Sequence, residues 1–147
     1  MKEFKKILFP IDFSESATKL IPYVLTLAQA FDSRIHLLYV VRDFQYLTSF
    51  HVPHPSLDQL EAEVLENARK MISRAAEEDF PPGCVTHVSR GDAATEIIQY
   101  AAEEKIDLII MGTHGRKGLD RTLFGSVADN VVKNSPVPVM VINPHKV

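Results

Sequence analysis

The chain has 147 residues, 46% hydrophobic and 24% charged, which suits one domain with a substantial core. A net charge of -3 gives no global positive field to attract a nucleic-acid backbone, so no nucleic-acid partner is expected. The single cysteine, Cys84, excludes an internal disulfide and suits a reducing compartment. The early apolar run Ile7–Ile11 contains Pro10 and stops at Asp12. It is too short for a signal-peptide core or a membrane span, so a cytoplasmic protein without membrane insertion is expected.

In chain order, Lys5–Asp12 (KKILFPID) reads as a buried strand stopped by Pro and Asp. Ser14 or Ser16 then caps a helix whose apolar face is Ala17, Leu20, Ile21, Val24, Leu27, Ala28 and Phe31. Pro22 should kink this helix or mark its effective first turn. Arg34–Val41 is a second strand, apolar enough to be covered on both faces. Arg42–Ser56 has no clear period and two prolines, and reads as a long loop. Leu57–Asp79 follows as a charged helix with Leu60, Val64, Ala68, Met71, Ile72 and Ala75 on one face, ended by Pro81, Pro82 and Gly83.

Cys84–Ser89 alternates like a strand nearer the sheet edge, and Gly91-Asp92 makes a turn. Ala93–Glu104 is a helix with Ile97, Ile98 and Ala101 inward, and Asp107–Gly112 is a buried strand. After a glycine-rich stretch, Ser126 opens a last helix to about Asn134, and Val137–Ile142 is the final strand. No repeat, low-complexity segment or linker divides the chain. Strand and helix thus alternate five times. This predicts an α/β fold, Rossmann-like, in one domain over residues 1–147: an open five-stranded parallel sheet, strand order 3-2-1-4-5, with helices on both faces.

Ligands in such sheets bind beyond the carboxyl ends of the strands, where the strand order reverses. Two unusual loops fall there. One follows strand 1 and carries Pro10 and Asp12. The other follows strand 4 and reads MGTHGRKGLDRTLFGSVADNVV (Met111–Val132), holding four of the six glycines: Gly112, Gly115, Gly118 and Gly125. It is neither a Walker A loop, since no Gly-Lys-Ser/Thr closes it, nor the dinucleotide fingerprint, whose glycine spacing differs. A glycine loop at a helix N-terminus offers free backbone N–H groups to an anion. Arg116, Lys117 and Arg121 add positive charge, and Ser126 a hydroxyl, so a phosphorylated ligand fits. Any one glycine is more simply a turn former; the cluster at a switch point is not.

The spacing Gly112-x2-Gly115-x9-Gly125-Ser126, together with the opening ILFPIDFSESA and the closing IDLIIMGTHGRKGLDRTLFGSVADNVVKNSPVPVMVI, resembles the ATP-binding branch of the universal stress protein family. The resemblance covers essentially the whole chain, the loop Arg42–Ser56 being the segment where nothing carries over. It implies that Pro10 belongs to the nucleotide site, that the backbone of Ile11 and Val40 borders an adenine and that Asp12 accepts from ribose hydroxyls. It implies further that Met111 and Gly112 line the floor near the ribose, and that Gly115, Arg116, Gly125, Ser126 and Val127 wrap the phosphates. The chemistry agrees, a carboxylate suiting hydroxyl donors and N–H groups suiting phosphate oxygens. Asp12 is equally readable as a helix cap beside Ser14. The implied ligand is ATP, or AMP or ADP, and a divalent cation such as Mg would accompany the phosphates, although the sequence carries no dedicated metal cage.

The remaining candidates are weaker. His51 and His54 lack further ligands, so no metal site is assigned, and His114 reads equally as a phosphate contact or a solvated side chain. Arg90-Gly91-Asp92 reads as a turn and helix start, and Cys84 as inert packing. No nucleophile, base and orienting group form a readable set, so no catalytic residue is assigned and at most slow ATP hydrolysis is expected. The function expected is a nucleotide-dependent stress-response or signalling module, with a downstream protein target that no motif identifies. The alternative is a protein–protein interaction module of the same fold that binds no nucleotide. A receiver-like domain ranks last, because it needs further acidic residues and a lysine ending strand 5. Val137–Ile142 has two apolar faces at a sheet edge, and such an edge invites pairing with its own copy. A homodimer through this strand is expected.

Overall fold

The computed structural model describes residues 1–43, 54–113 and 125–147, with the side chains of residues 54 and 55 outside that description. Its elements are β1 (Lys6–Pro10), α1 (Glu15–Thr18), α2 (Ile21–Phe31), β2 (Arg34–Val41), α3 (His54–Asp79), β3 (Val85–Arg90), α4 (Ala93–Glu103), β4 (Leu108–Gly112), α5 (Ser126–Asn134) and β5 (Val139–Ile142). The five strands form one sheet, β3-β2-β1-β4-β5, and every pairing is parallel. This is the expected α/β architecture, with β1 and β4 adjacent where the order reverses.

The apolar runs explain the layering. Ile7, Leu8 and Phe9 are fully buried, as a central parallel strand covered on both faces must be. Ile7, Phe9, Ile35 and Leu37 point to one side and pack with Val24 of α2 and Ile72 of α3. Leu8, Leu38 and Ile109 point to the other and pack with Ile97 and Ala101 of α4 and Val131 of α5. Two helices end alike. Asp32 and Lys105 adopt left-handed φ of 51° and 53°, and the next residue's N–H reaches back to Ala28 O (2.8 Å) and Ala101 O (3.0 Å). These links satisfy the last carbonyls and turn the chain straight into the next strand.

Three sequence expectations need correction. The helix after strand 1 is two helices: Ser14 caps only the short α1, and Pro22 stands in the first turn of α2. A proline there loses no hydrogen bond, whereas in mid-helix it would break one. The inward face of α3 keeps Ala68 and Ile72 of the expected row, with Val64 and Ala75 half-buried, but takes in Leu57 and leaves out Leu60 and Met71. Leu57, Ala68 and Ile72 are buried, while Leu60 and Met71 are 41% and 45% exposed. The helix also starts three residues earlier than expected, at His54. The last strand is shorter, Val139–Ile142, with Pro138 contributing only its carbonyl to Ile109 N (3.0 Å).

His36 is a buried polar side chain, 3% exposed, on the α4 side of β2. Its Nδ1 lies 2.8 Å from the Tyr100 hydroxyl, and among the described residues Nε2 has no partner. Donation from Nδ1 to the phenol oxygen leaves only a lone pair unmet, whereas protonation would bury an unpaired N–H and a charge. Burial therefore holds the His36 pKa below 6.5; Lys6 and Arg34 push the same way and Glu104 opposes them. The unfolded chain then binds the extra proton first. Stability is expected to fall as pH drops through about 6.5 and to level off below the folded-state pKa. Urea unfolding from about pH 7.5 to 5 should show His36→Asn, which offers an amide at the Nδ1 position, losing less stability than the wild type. Equal losses would show that His36 is not the group responsible.

Candidate functional site

At the carboxyl ends of the strands a cleft of about 450 Å³ opens between the segments that follow β1, β2 and β4. That volume lies in the usual range for small-molecule sites. Pro10, Ile11, Asp12, Val40, Met111, Gly112, Gly125, Ser126 and Val127 all line it. Gly115, Arg116 and His114 lie outside the described residues, as do Lys117, Gly118, Arg121 and His51.

Each wall has a local cause. The β1 ladder continues one residue past the strand, Ile11 N donating to Leu38 O (2.9 Å), so Ile11 and Val40 face the opening from adjacent strands. Asp12 follows. Its Oδ1 accepts from Ser14 N (3.0 Å) and Ser14 Oγ (2.6 Å), while Ser14 Oγ accepts from Ala17 N (3.2 Å). Ser14 is thus the cap of α1, and Asp12 is the carboxylate that orients the cap. Asp12 is therefore not itself the cap. On the opposite side, Thr113 N donates to Ile142 O (2.9 Å) and Thr113 O accepts from Gly125 N (2.5 Å), which fixes both ends of the glycine stretch at the edge of the cleft. Gly125 stands at the N-cap of α5 with no side-chain capping bond. The first N–H groups of α5 are therefore presented at the cleft edge by a residue without a side chain.

Gly125 has φ −68° and ψ 164°, a backbone open to any residue. Its conformation does not call for glycine. Gly91 differs: its φ is +141°, and a Cβ there would lie 2.9 Å from Glu96 Oε1. Gly91 links Arg90, paired with Glu61, to Asp92, whose carboxylate caps α4 by accepting from Thr95 N (3.1 Å) and Thr95 Oγ1 (2.7 Å). These bonds hold the Asp92 carboxyl below the ordinary carboxylate range. The Arg-Gly-Asp tripeptide is a turn and helix start. Gly91→Ala is expected to cost about 1–3 kcal/mol in denaturant unfolding, through a backbone region that L-residues rarely enter. A loss below about 0.5 kcal/mol would mean that the turn relaxes freely.

Sequence reasoning missed several lining residues. Ser16, Ala17 and Leu20 enter because α1 folds back over the β1 end; Ala93 and Ile97 enter from α4; Arg42 stands just past β2. Leu38 was readable, since it shares a strand face with Val40 at period two. Arg42 was not, because it begins a segment without pattern. Cys84 is far from this cleft, and burial pushes its thiol up to about 11, which makes it a poor nucleophile near neutral pH.

The sheet order, with a cleft at its reversal, defines a doubly wound α/β domain. Residues 3–143 match the Universal stress protein family, and the chain belongs to that family. It is 34% identical to universal stress protein MJ0531 of Methanocaldococcus jannaschii, over 97% of this chain and 84% of that one. It is 30% identical to universal stress protein YxiE of Bacillus subtilis, over 95% and 99%. Among solved structures, protein MJ0577 superposes with a TM-score of 0.82 at 30% identity, covering 97% of both chains. A universal stress protein solved in complex with cAMP shares the fold, with a TM-score of 0.64 at 17% identity over 97% and 99%.

Proposed function

We propose that this universal stress protein is a single-domain, cytoplasmic module that binds an adenine nucleotide, ATP or its AMP and ADP relatives, and changes its association with a protein target accordingly. The observation that carries the reading is the meeting of two chemistries in one cleft: the Asp12 carboxylate on one wall and, on the other, the N-terminus of α5 at Gly125–Val127, whose N-cap glycine makes no side-chain capping bond. Between them run apolar walls from Ile11, Val40 and Met111 that suit a flat base. In the proposed pose the base lies against Ile11 and Val40, Asp12 accepts from the ribose, and the phosphates meet the α5 N–H groups and Ser126, with Gly115 and Arg116 completing the phosphate wrap. A divalent cation such as Mg would be held chiefly by the phosphates and water. Among the described residues no group of three His, Cys, Asp or Glu side chains is arranged around a metal, and Asp12 is the carboxylate among the described lining residues.

Among the described residues no helix is long and apolar enough to cross a membrane. The exposed edge strand β5 would pair with its copy to make a homodimer. The direct test is to denature the purified protein and identify any released nucleotide by absorbance and chromatography, then to reload the stripped protein with ATP, ADP and AMP. Release or reloading of an adenine nucleotide supports the reading. Stripped protein that takes up none of the three refutes it and favours the interaction module that binds no nucleotide.

A further inference from the structure

Phe13 stands between the two residues whose side chains organise the first wall, and its backbone is left-handed, φ 61°. For a bulky L-residue this region brings Cβ against the neighbouring carbonyl oxygen, and few such residues occupy it. The turn nevertheless does specific work. It reverses the chain so sharply that Ser14 N and Ser14 Oγ both donate to Asp12 Oδ1 across it (3.0 and 2.6 Å). With φ of the usual sign, Ser14 would swing away, and the Asp12 carboxylate would lose these two donors at the cleft wall.

Something must oppose the strain, and the Phe13 ring supplies it. The ring meets Tyr39 edge to face, with centroids 4.9 Å apart and planes at 73°, and it packs against the core beneath α2 and α3. Tyr39 belongs to β2 and lines the same cleft one residue before Val40. The ring pair therefore ties the turn after β1 to the strand that forms the neighbouring wall.

We propose that Phe13 is a positioning residue for ribose recognition. Its contact with Tyr39 holds a strained left-handed turn, and the turn holds the Asp12 carboxylate where a ribose diol donates to it. The inference rests on the adenine-nucleotide reading above. Phe13→Ala and Phe13→Gly separate backbone from ring. Both remove the ring and its packing, but alanine keeps the Cβ that resists φ of +61° and glycine does not.

Isothermal titration with ATP and with 2′,3′-dideoxy-ATP reads the ribose contribution as a ratio of affinities. The wild type should prefer ATP by about 10-fold or more, the scale of a hydrogen bond to a charged group. Phe13→Ala should lose most of that preference and Phe13→Gly should regain it, whereas a merely structural role would weaken both nucleotides equally in both variants. Tyr39→Leu removes the other ring and gives the same test should Phe13→Ala not fold. Without nucleotide, Phe13→Gly should melt at or above Phe13→Ala, the reverse of the usual order. An alanine variant with the wild-type ratio, or a glycine variant that loses as much as alanine, overturns the proposal while leaving nucleotide binding standing. Glycine melting well below alanine removes the strain on which it depends. A wild type that binds ATP without preferring it over the dideoxy form removes the Asp12 role, and one that binds neither nucleotide removes the functional reading along with it.

Discussion

Saturating ATP is expected to raise the unfolding temperature of nucleotide-free protein by about 5–11 °C. A ligand present at one hundred times its Kd, and bound to the folded state alone, stabilises that state by about 2.7 kcal/mol. In a domain near this size each kcal/mol moves Tm by about 2–4 °C. Gly125→Val should erase the shift. The valine fits the backbone, since φ is −68° and ψ 164°, but it places a branched side chain at the mouth of α5, where the first N–H groups of the helix face the cleft. The unliganded variant should lose only about 1 kcal/mol, because glycine is the better N-cap. The comparison thus separates lost binding from lost folding. No shift in the wild type, or an undiminished shift in Gly125→Val, would contradict the placement of the phosphates.

The placement of this site was legible in the sequence because two of its parts are written in short-range patterns. The run Ile7–Phe9 and the run Leu108–Met111 are apolar at consecutive positions, which marks central strands covered on both faces. Once strands 1 and 4 are neighbours, the loops after them must meet. A serine cap, at Ser14 or Ser16, and the turn at Gly91-Asp92 follow from side-chain chemistry confined to three or four residues; the structure selects Ser14. What escaped the sequence depends on tertiary packing. The margin of the α3 face is one example: Leu60 and Met71 satisfy the helical period as well as Leu57 does, and only the position of β2 and β3 decides which of them is covered. The split between α1 and α2 is another, because Pro22 was compatible with a kink or a fresh start. Phe13 is the clearest case. Nothing in Asp-Phe-Ser announces a left-handed phenylalanine, since propensity argues against it and the ring contact that favours it comes from Tyr39, distant in sequence.

Substitution of Met140 or Val141 by lysine is expected to convert a β5-mediated homodimer to monomer. Among the described residues β5 has a strand neighbour on one side alone, so its outer backbone groups form an edge that proteins normally cover, shorten or pair. The strand is only four residues long, and the residues on it are unequal. Ile142 is buried beneath one layer of helices and Val139 packs, half-buried, against the other, so lysine at 139 would test packing as well as association. Met140 is 40% exposed and Val141 half-buried, which makes them the sharper probes. Val132, 46% exposed on α5, adds apolar surface on the helix that packs on β5. A two-fold pairing would set each β5 antiparallel to its copy, so one substitution enters the interface twice and brings two like charges together. Such juxtaposition costs several kcal/mol, and a penalty of about 3 kcal/mol is a weakening of association by roughly 100-fold. Sedimentation over a range of concentrations should show the wild type as a dimer and both variants shifted towards monomer, with unfolding curves confirming that each still folds. A wild type that stays monomeric at high concentration would contradict the pairing. Dimers that persist in both variants would move the interface to another face of the molecule.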